Sequence, residues 1–140
     1  MENEIKACLE RKVNYYETDM MGVVHHSNYI RWFEEARVMW MDKGGIPYEE
    51  VEKYGVQMPV LGVSCEYKVP AKFGDTICIE TYTKEVTFVK YIIGYKITNK
   101  ETGDLLCIGE TKHCFVDNTF RPVNIKKHNP ELTERLLALC

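Results

Sequence analysis

One switch of hydrophobic period constrains this chain more than any other feature. From Ser27 to Lys43, Tyr29, Trp32, Phe33, Ala36, Met39 and Trp40 recur at three- and four-residue spacing, the repeat of an amphipathic helix. Val38 and Met41 fall outside that stripe, so the helix is apolar round more than half its girth and needs cover on more than one side. From Leu61 onward the repeat is two: Leu61, Val63, Cys65, Tyr67 and Val69 alternate with Gly62, Ser64, Glu66 and Lys68. The stretches 76–88, 90–99 and 105–117 keep strand character, and only the turns "PAKFGD" and "NKETGD" and the single residue Val89 interrupt them.

Residues 5–17 form one more strand-like run, ending in the β-favouring "VNYY", and residues 18–26 connect it to the helix. Ser27 or Asn28 is the expected N-cap, and the glycines at 44–45 stop the helix. "IPYEEVEKYG" reads as a short helix opened by Pro47 and ended by Gly55, and the tail is expected to close with a helix begun at Pro130. The order is strand, long helix, short helix, four strands. Strands joined by short turns pair antiparallel, so the fold class is α+β: a five- or six-stranded antiparallel sheet wrapped round one long helix. Residues 1–140 read as a single domain, without repeats or linkers. The open edges of such a sheet are protected by pairing across a two-fold axis, which predicts a homodimer or homotetramer.

A net charge of −3 without long like-charge runs argues against a nucleic-acid surface. No run approaches a membrane span, and "MENEIKACLE" lacks the apolar core of a signal peptide, so the expected setting is cytoplasmic. The six cysteines show no C-x-x-C pair, and the expectation is buried free thiols in a reducing compartment, with no metal site.

The stretch "ETDMMGVVHHSNY" (17–29) places an acid, a flexible glycine and a histidine pair just before the helix. Gly22 lets the connection turn back, so Asp19 can approach the helix N-terminus. That terminus offers unpaired N–H groups and a partial positive charge, which stabilise an oxyanion. A carboxylate serves as a nucleophile or as a general base towards water. Acid plus oxyanion donor suffices for acyl transfer to water, although Asp and Gly in such a loop also simply make turns.

"YYETDMMGVVHHSNYIRWFEEAR" (15–37) resembles the signature of the 4-hydroxybenzoyl-CoA thioesterase family of hotdog-fold acyl-CoA thioesterases. "MPVLGVSCEYKVPAKFGDTICIET" and "CFVDNTFRPV" extend the resemblance over almost the whole chain. It implies a hotdog fold, hydrolysis of an acyl-CoA to a free acid and coenzyme A, and no cofactor. It implies Asp19 as the catalytic acid and the backbone N–H of His26 as the donor to the thioester carbonyl. His25 stands where many members carry tyrosine. Gly22, Val24 and His25 belong to the same substrate-binding loop. Val60, Leu61 and Gly62 fall along the implied acyl pocket, and equally suit plain sheet core. Lys90 and Arg121, with Lys72, Lys126 and Lys127, are candidates to meet the phosphates of coenzyme A. Tyr29, Trp32 and His113 read as structural. Two alternatives stay open: a thioesterase acting on acyl carrier protein, and a non-catalytic acyl-CoA-binding hotdog protein.

Overall fold

The computed structural model describes residues 7–139. Five strands, β1 (Ala7–Lys12), β2 (Val60–Tyr67), β3 (Thr76–Val86), β4 (Lys90–Asn99) and β5 (Leu105–Cys114), form one antiparallel sheet in the order β1-β3-β4-β5-β2. The long helix α1 (Ser27–Lys43) lies on one face, followed by α2 (Tyr48–Lys53). Two C-terminal helices, α3 (Ile125–His128) and α4 (Pro130–Leu137), follow β5.

The packing explains why a helix of this composition sits on this sheet. Trp32, Phe33, Ala36 and Trp40 are fully buried, and the Phe33 ring stacks on Tyr95 of β4 with centroids 4.4 Å apart. Gly109 of β5 permits that approach, because a Cβ there would lie 2.5 Å from Phe33 Cζ. Met41, outside the expected stripe, is buried nonetheless, while Val38 stays 46% exposed.

Arg37 is also buried, and its position fixes a directional chain. His113 Nδ1 lies 3.1 Å from the Met58 carbonyl oxygen, which only accepts, so Nδ1 carries the proton. Nε2 therefore accepts from Thr111 Oγ1 at 2.8 Å, and Thr111 accepts from the Tyr95 hydroxyl at 2.7 Å. Tyr95 in turn accepts from the Arg37 guanidinium at 3.2 Å. Burial holds the His113 imidazole neutral, with its pKa lowered to about 4. The expectation that His113 is structural agrees with this placement.

Several expectations are corrected. The first strand ends at Lys12, and "VNYY" is not strand: Tyr15–Glu17 make a 3-10 turn. The Glu17 side chain accepts from the Asn14 backbone N–H at 2.9 Å and outweighs the β propensity of the tyrosines. Residues 5 and 6 of that expected strand lie outside the described residues. Neither Ser27 nor Asn28 caps α1: His26 occupies the cap, and the His25 ring accepts from the Ser27 N–H at 3.2 Å. "IKKH" forms a helical turn where a loop was expected, because Asn124 accepts from the N–H groups of Lys126 and Lys127. Cys8 and Cys78, on adjacent strands, are disulfide-bonded rather than free. Cys65, Cys107 and Cys114 are free, as expected, although only Cys107 is fully buried. Cys140 lies outside the described residues.

Candidate active site

The loop from Glu17 to His26 is a miniature hairpin, and its backbone explains where Asp19 goes. Thr18 bridges Val24, and the Asp19 N–H donates to the Val23 carbonyl at 2.8 Å. Gly22, at φ +81°, closes the turn with its N–H on the Asp19 carbonyl at 3.0 Å, a conformation that side chains with a Cβ disfavour. One carboxylate oxygen of Asp19 accepts from the Met21 N–H at 2.8 Å, which fixes the side chain inside the turn. The return leg is anchored by the Val24 N–H on the Ala71 carbonyl at 2.8 Å, and it delivers His25 and His26 to the start of α1.

That helix start has one group to spare. The N–H of Ser27 goes to the His25 ring, that of Asn28 to the His25 carbonyl, and that of Tyr29 to the His26 carbonyl. The His25 N–H goes to the Glu17 carbonyl at 2.9 Å. Among the described residues no acceptor takes the His26 N–H, and it sits at the positive end of a seventeen-residue helix. The His26 ring stacks on His25 with centroids 4.2 Å apart, and the Tyr67 hydroxyl donates to the His26 carbonyl at 3.1 Å.

Asp19 and His26 line one cavity of about 230 Å³. Its walls are largely apolar, from Met21, Val24, Tyr29, Tyr67 and Val69, with Lys68 adding a cation. A larger cavity of about 650 Å³ lies along the middle of α1, between Leu9, Glu34, Glu35, Arg37, Val38 and Tyr48. Size does not make that one the reactive site, because it brings no free helix-terminal donor together with an acid.

Of the residues singled out in the sequence, Asp19, Val24 and His26 meet in the smaller cavity, and Gly22 and His25 shape its loop. Val60, Leu61 and Gly62 lie on β2 at the sheet edge and do not line it within one chain. Lys90 pairs with Glu85 at 3.2 Å, and Arg121 closes a turn whose backbone bonds run to Asp117. Neither borders the Asp19 cavity. Sequence reasoning missed Tyr67 and Lys68 as cavity residues. Tyr67 was legible only as one member of an alternating strand, since its partner at His26 is distant in sequence. Among the described residues, no group of three or more His, Cys, Asp or Glu side chains could hold a metal, and no helix is long and apolar enough to cross a membrane.

Known proteins resemble this chain in sequence and fold. The sequence profile described as the thioesterase-like superfamily matches residues 13–136. A Bacillus subtilis protein, YneP, whose name assigns it provisionally to the acyl-CoA thioesterases, is 35% identical over 123 residues, 87% of this chain and 88% of that protein. The 1,4-dihydroxy-2-naphthoyl-CoA hydrolase of Prochlorococcus marinus (strain NATL1A) is 30% identical over 118 residues, 79% of this chain and 77% of that protein. The crystal structure of a DHNA-CoA thioesterase from Staphylococcus aureus superposes with a TM-score of 0.86 at 30% identity, covering 94% of this chain and 89% of that one.

Proposed function

The chain belongs to the thioesterase-like superfamily, and from that membership together with its loop geometry we infer that it hydrolyses acyl-CoA thioesters to a free acid and coenzyme A. It is a thioester hydrolase with a hotdog fold. The observation that carries the site assignment is the pairing, in one cavity, of the Asp19 carboxylate with a helix-terminal N–H that has no other acceptor among the described residues.

The proposed chemistry follows from that pair. The thioester carbonyl oxygen accepts from the His26 N–H. As the carbonyl carbon becomes tetrahedral its oxygen gains negative charge, and the donor and the helix dipole stabilise it more than the ground state. Asp19 either attacks the carbon, giving an anhydride that water then cleaves, or removes a proton from the attacking water. In both routes the C–S bond breaks and the sulfur leaves as the coenzyme A thiolate. The apolar wall of Met21, Val24 and Val69 suits the acyl group.

Finer readings are proposed on the same footing. Two of the three relatives are named for 1,4-dihydroxy-2-naphthoyl-CoA (DHNA-CoA), an aromatic acyl-CoA, which favours an aromatic acid over a long aliphatic one and accords with the resemblance to the 4-hydroxybenzoyl-CoA thioesterase family. Val60, Leu61, Val63 and Tyr67 are exposed on edge strand β2, which supports a dimer or tetramer in which a second copy covers that edge. The phosphates of coenzyme A would then meet lysines and arginines such as Lys90 and Arg121. The proposed setting is the cytoplasm. Steady-state rates on a panel of aryl- and alkyl-CoA esters and acyl carrier protein thioesters, at concentrations matched to sedimentation runs, test these readings together. Turnover of no member would overturn the hydrolase assignment.

A further inference from the structure

Glu17 is a buried carboxylate that does not line the cavity, yet it is bonded to the returning leg of the loop and to α1, which do. Its side-chain oxygens accept from Arg11 Nη1 of β1 at 2.8 and 3.0 Å, from the Asn14 N–H at 2.9 Å and from Trp32 Nε1 of α1 at 2.8 Å. Its own carbonyl accepts from the His25 N–H at 2.9 Å and from the Asn28 side chain of α1 at 2.8 Å. Burial alone would raise the carboxyl pKa, but the bonds from Arg11, Asn14 and Trp32 outweigh it and keep the group ionised. Asp19 follows two residues later, and His26 follows directly on the His25 amide that Glu17 holds.

We propose that Glu17 is the positioning residue that sets the distance between the Asp19 carboxylate and the His26 N–H, by tying the outgoing and returning legs of the loop to the first turn of α1. The proposal rests on reading Asp19 and His26 as the thioester-cleaving pair. A buried ion pair is a poor investment in stability, since well-packed apolar residues of similar volume often serve as well. Arg11 also has Glu35 at 3.0 Å and the Trp32 ring 5.2 Å from its guanidinium carbon, so Glu17 is not needed merely to neutralise it. What only the Glu17 side chain supplies is a simultaneous grip on β1, the 3-10 turn and α1, and that grip fixes the backbone carbonyl that receives the returning leg.

The test is Glu17→Gln, which keeps the shape but replaces one acceptor oxygen with an amide that accepts nothing. Either Asn14 N–H or Trp32 Nε1 then loses its partner, and the loop shifts. Misplacing reacting groups by about 1 Å costs up to about 10² in rate, so kcat should fall about 10- to 100-fold while KM stays within about twofold. The control is Thr111→Val, which damages the buried polar chain beneath the middle of α1 and leaves the loop alone. The second readout is exchange of the His25 amide hydrogen, expected to quicken about tenfold in Glu17→Gln and not in Thr111→Val. Trp32→Phe, which removes one anchor and keeps an aromatic ring, is measured the same way and replaces Glu17→Gln if that variant does not fold. Wild-type kcat in the folded variant, or an equal fall in kcat in Thr111→Val, would overturn the proposal. Faster His25 exchange in a protein whose wild type cleaves no thioester would uphold the positioning role and defeat the thioesterase reading instead.

Discussion

Two buried polar clusters sit along the same helix, and they are built for different ends. At the start of α1, Glu17 gathers Arg11, Asn14 and Trp32, and beside it the second carboxylate oxygen of Asp19 and the His26 N–H remain unspent among the described residues. Towards the middle, Arg37, Tyr95, Thr111 and His113 bond to one another in a chain that ends on the Met58 carbonyl, and of its buried side-chain atoms only Arg37 Nε is left without a partner among the described residues. The second cluster fastens helix to sheet and presents nothing to a ligand at its His113 end, which is fully buried. The first leaves two chemically useful groups facing a cavity. What separates site from scaffold is therefore a spare helix-terminal N–H beside an acid in one cavity, rather than burial or cavity size.

If that division is right, damage to the two clusters should separate cleanly into activity and stability. The largest effect is expected at Asp19. Asp19→Asn should lower kcat by about 10² to 10⁴ at nearly unchanged melting temperature, as steady-state hydrolysis beside thermal melts would show. The substitution keeps an oxygen for the Met21 N–H, so the loop has no reason to unfold.

The Arg37–His113 cluster should respond in the opposite way. Thr111→Val strands the Tyr95 donor and the His113 acceptor, at a cost of about 1–3 kcal/mol in stability, with kcat preserved. The same cluster makes stability pH-dependent. The folded pKa of His113, about 4, lies below its ordinary value of 6.5, so the unfolded chain binds the extra proton. Its contribution is therefore fully present above pH 6.5 and fades as the pH falls towards 4, by about 3 kcal/mol in all. Denaturant melts across that window should show the slope, and His113→Gln should flatten it. Glu17 adds a loss only at lower pH, since its pKa is already depressed below the ordinary 4.5.

The scaffold and the site were not equally legible in the sequence. The long helix, the strand sequence and the loop acid followed from periodicity and from one motif, because each is a local pattern. The role of Glu17 was not legible, since its partners Arg11 and Trp32 lie six and fifteen residues away and meet only once α1 has packed on the sheet. "VNYY" misled for a related reason: a single side-chain bond from Glu17 to its own turn overrode the β propensity of two tyrosines. The Cys8–Cys78 bond depends on the pairing of β1 with β3, which spacing alone does not set. The cavity wall at Tyr67 likewise required knowing which face of β2 looks at the helix.

The central claim is that a backbone N–H, and not an imidazole, polarises the thioester, and one pair of proteins tests it. In His26→Ala the ring is lost and the amide kept. In a semisynthetic chain with an ester in place of the amide between residues 25 and 26, the ring is kept and the N–H lost. Single-turnover rates on the best acyl-CoA of the panel should fall only a few-fold for His26→Ala and by about 10² to 10³ for the ester. The reverse order, with the ester close to wild type and His26→Ala crippled, would contradict the account and move the chemistry to the His26 ring.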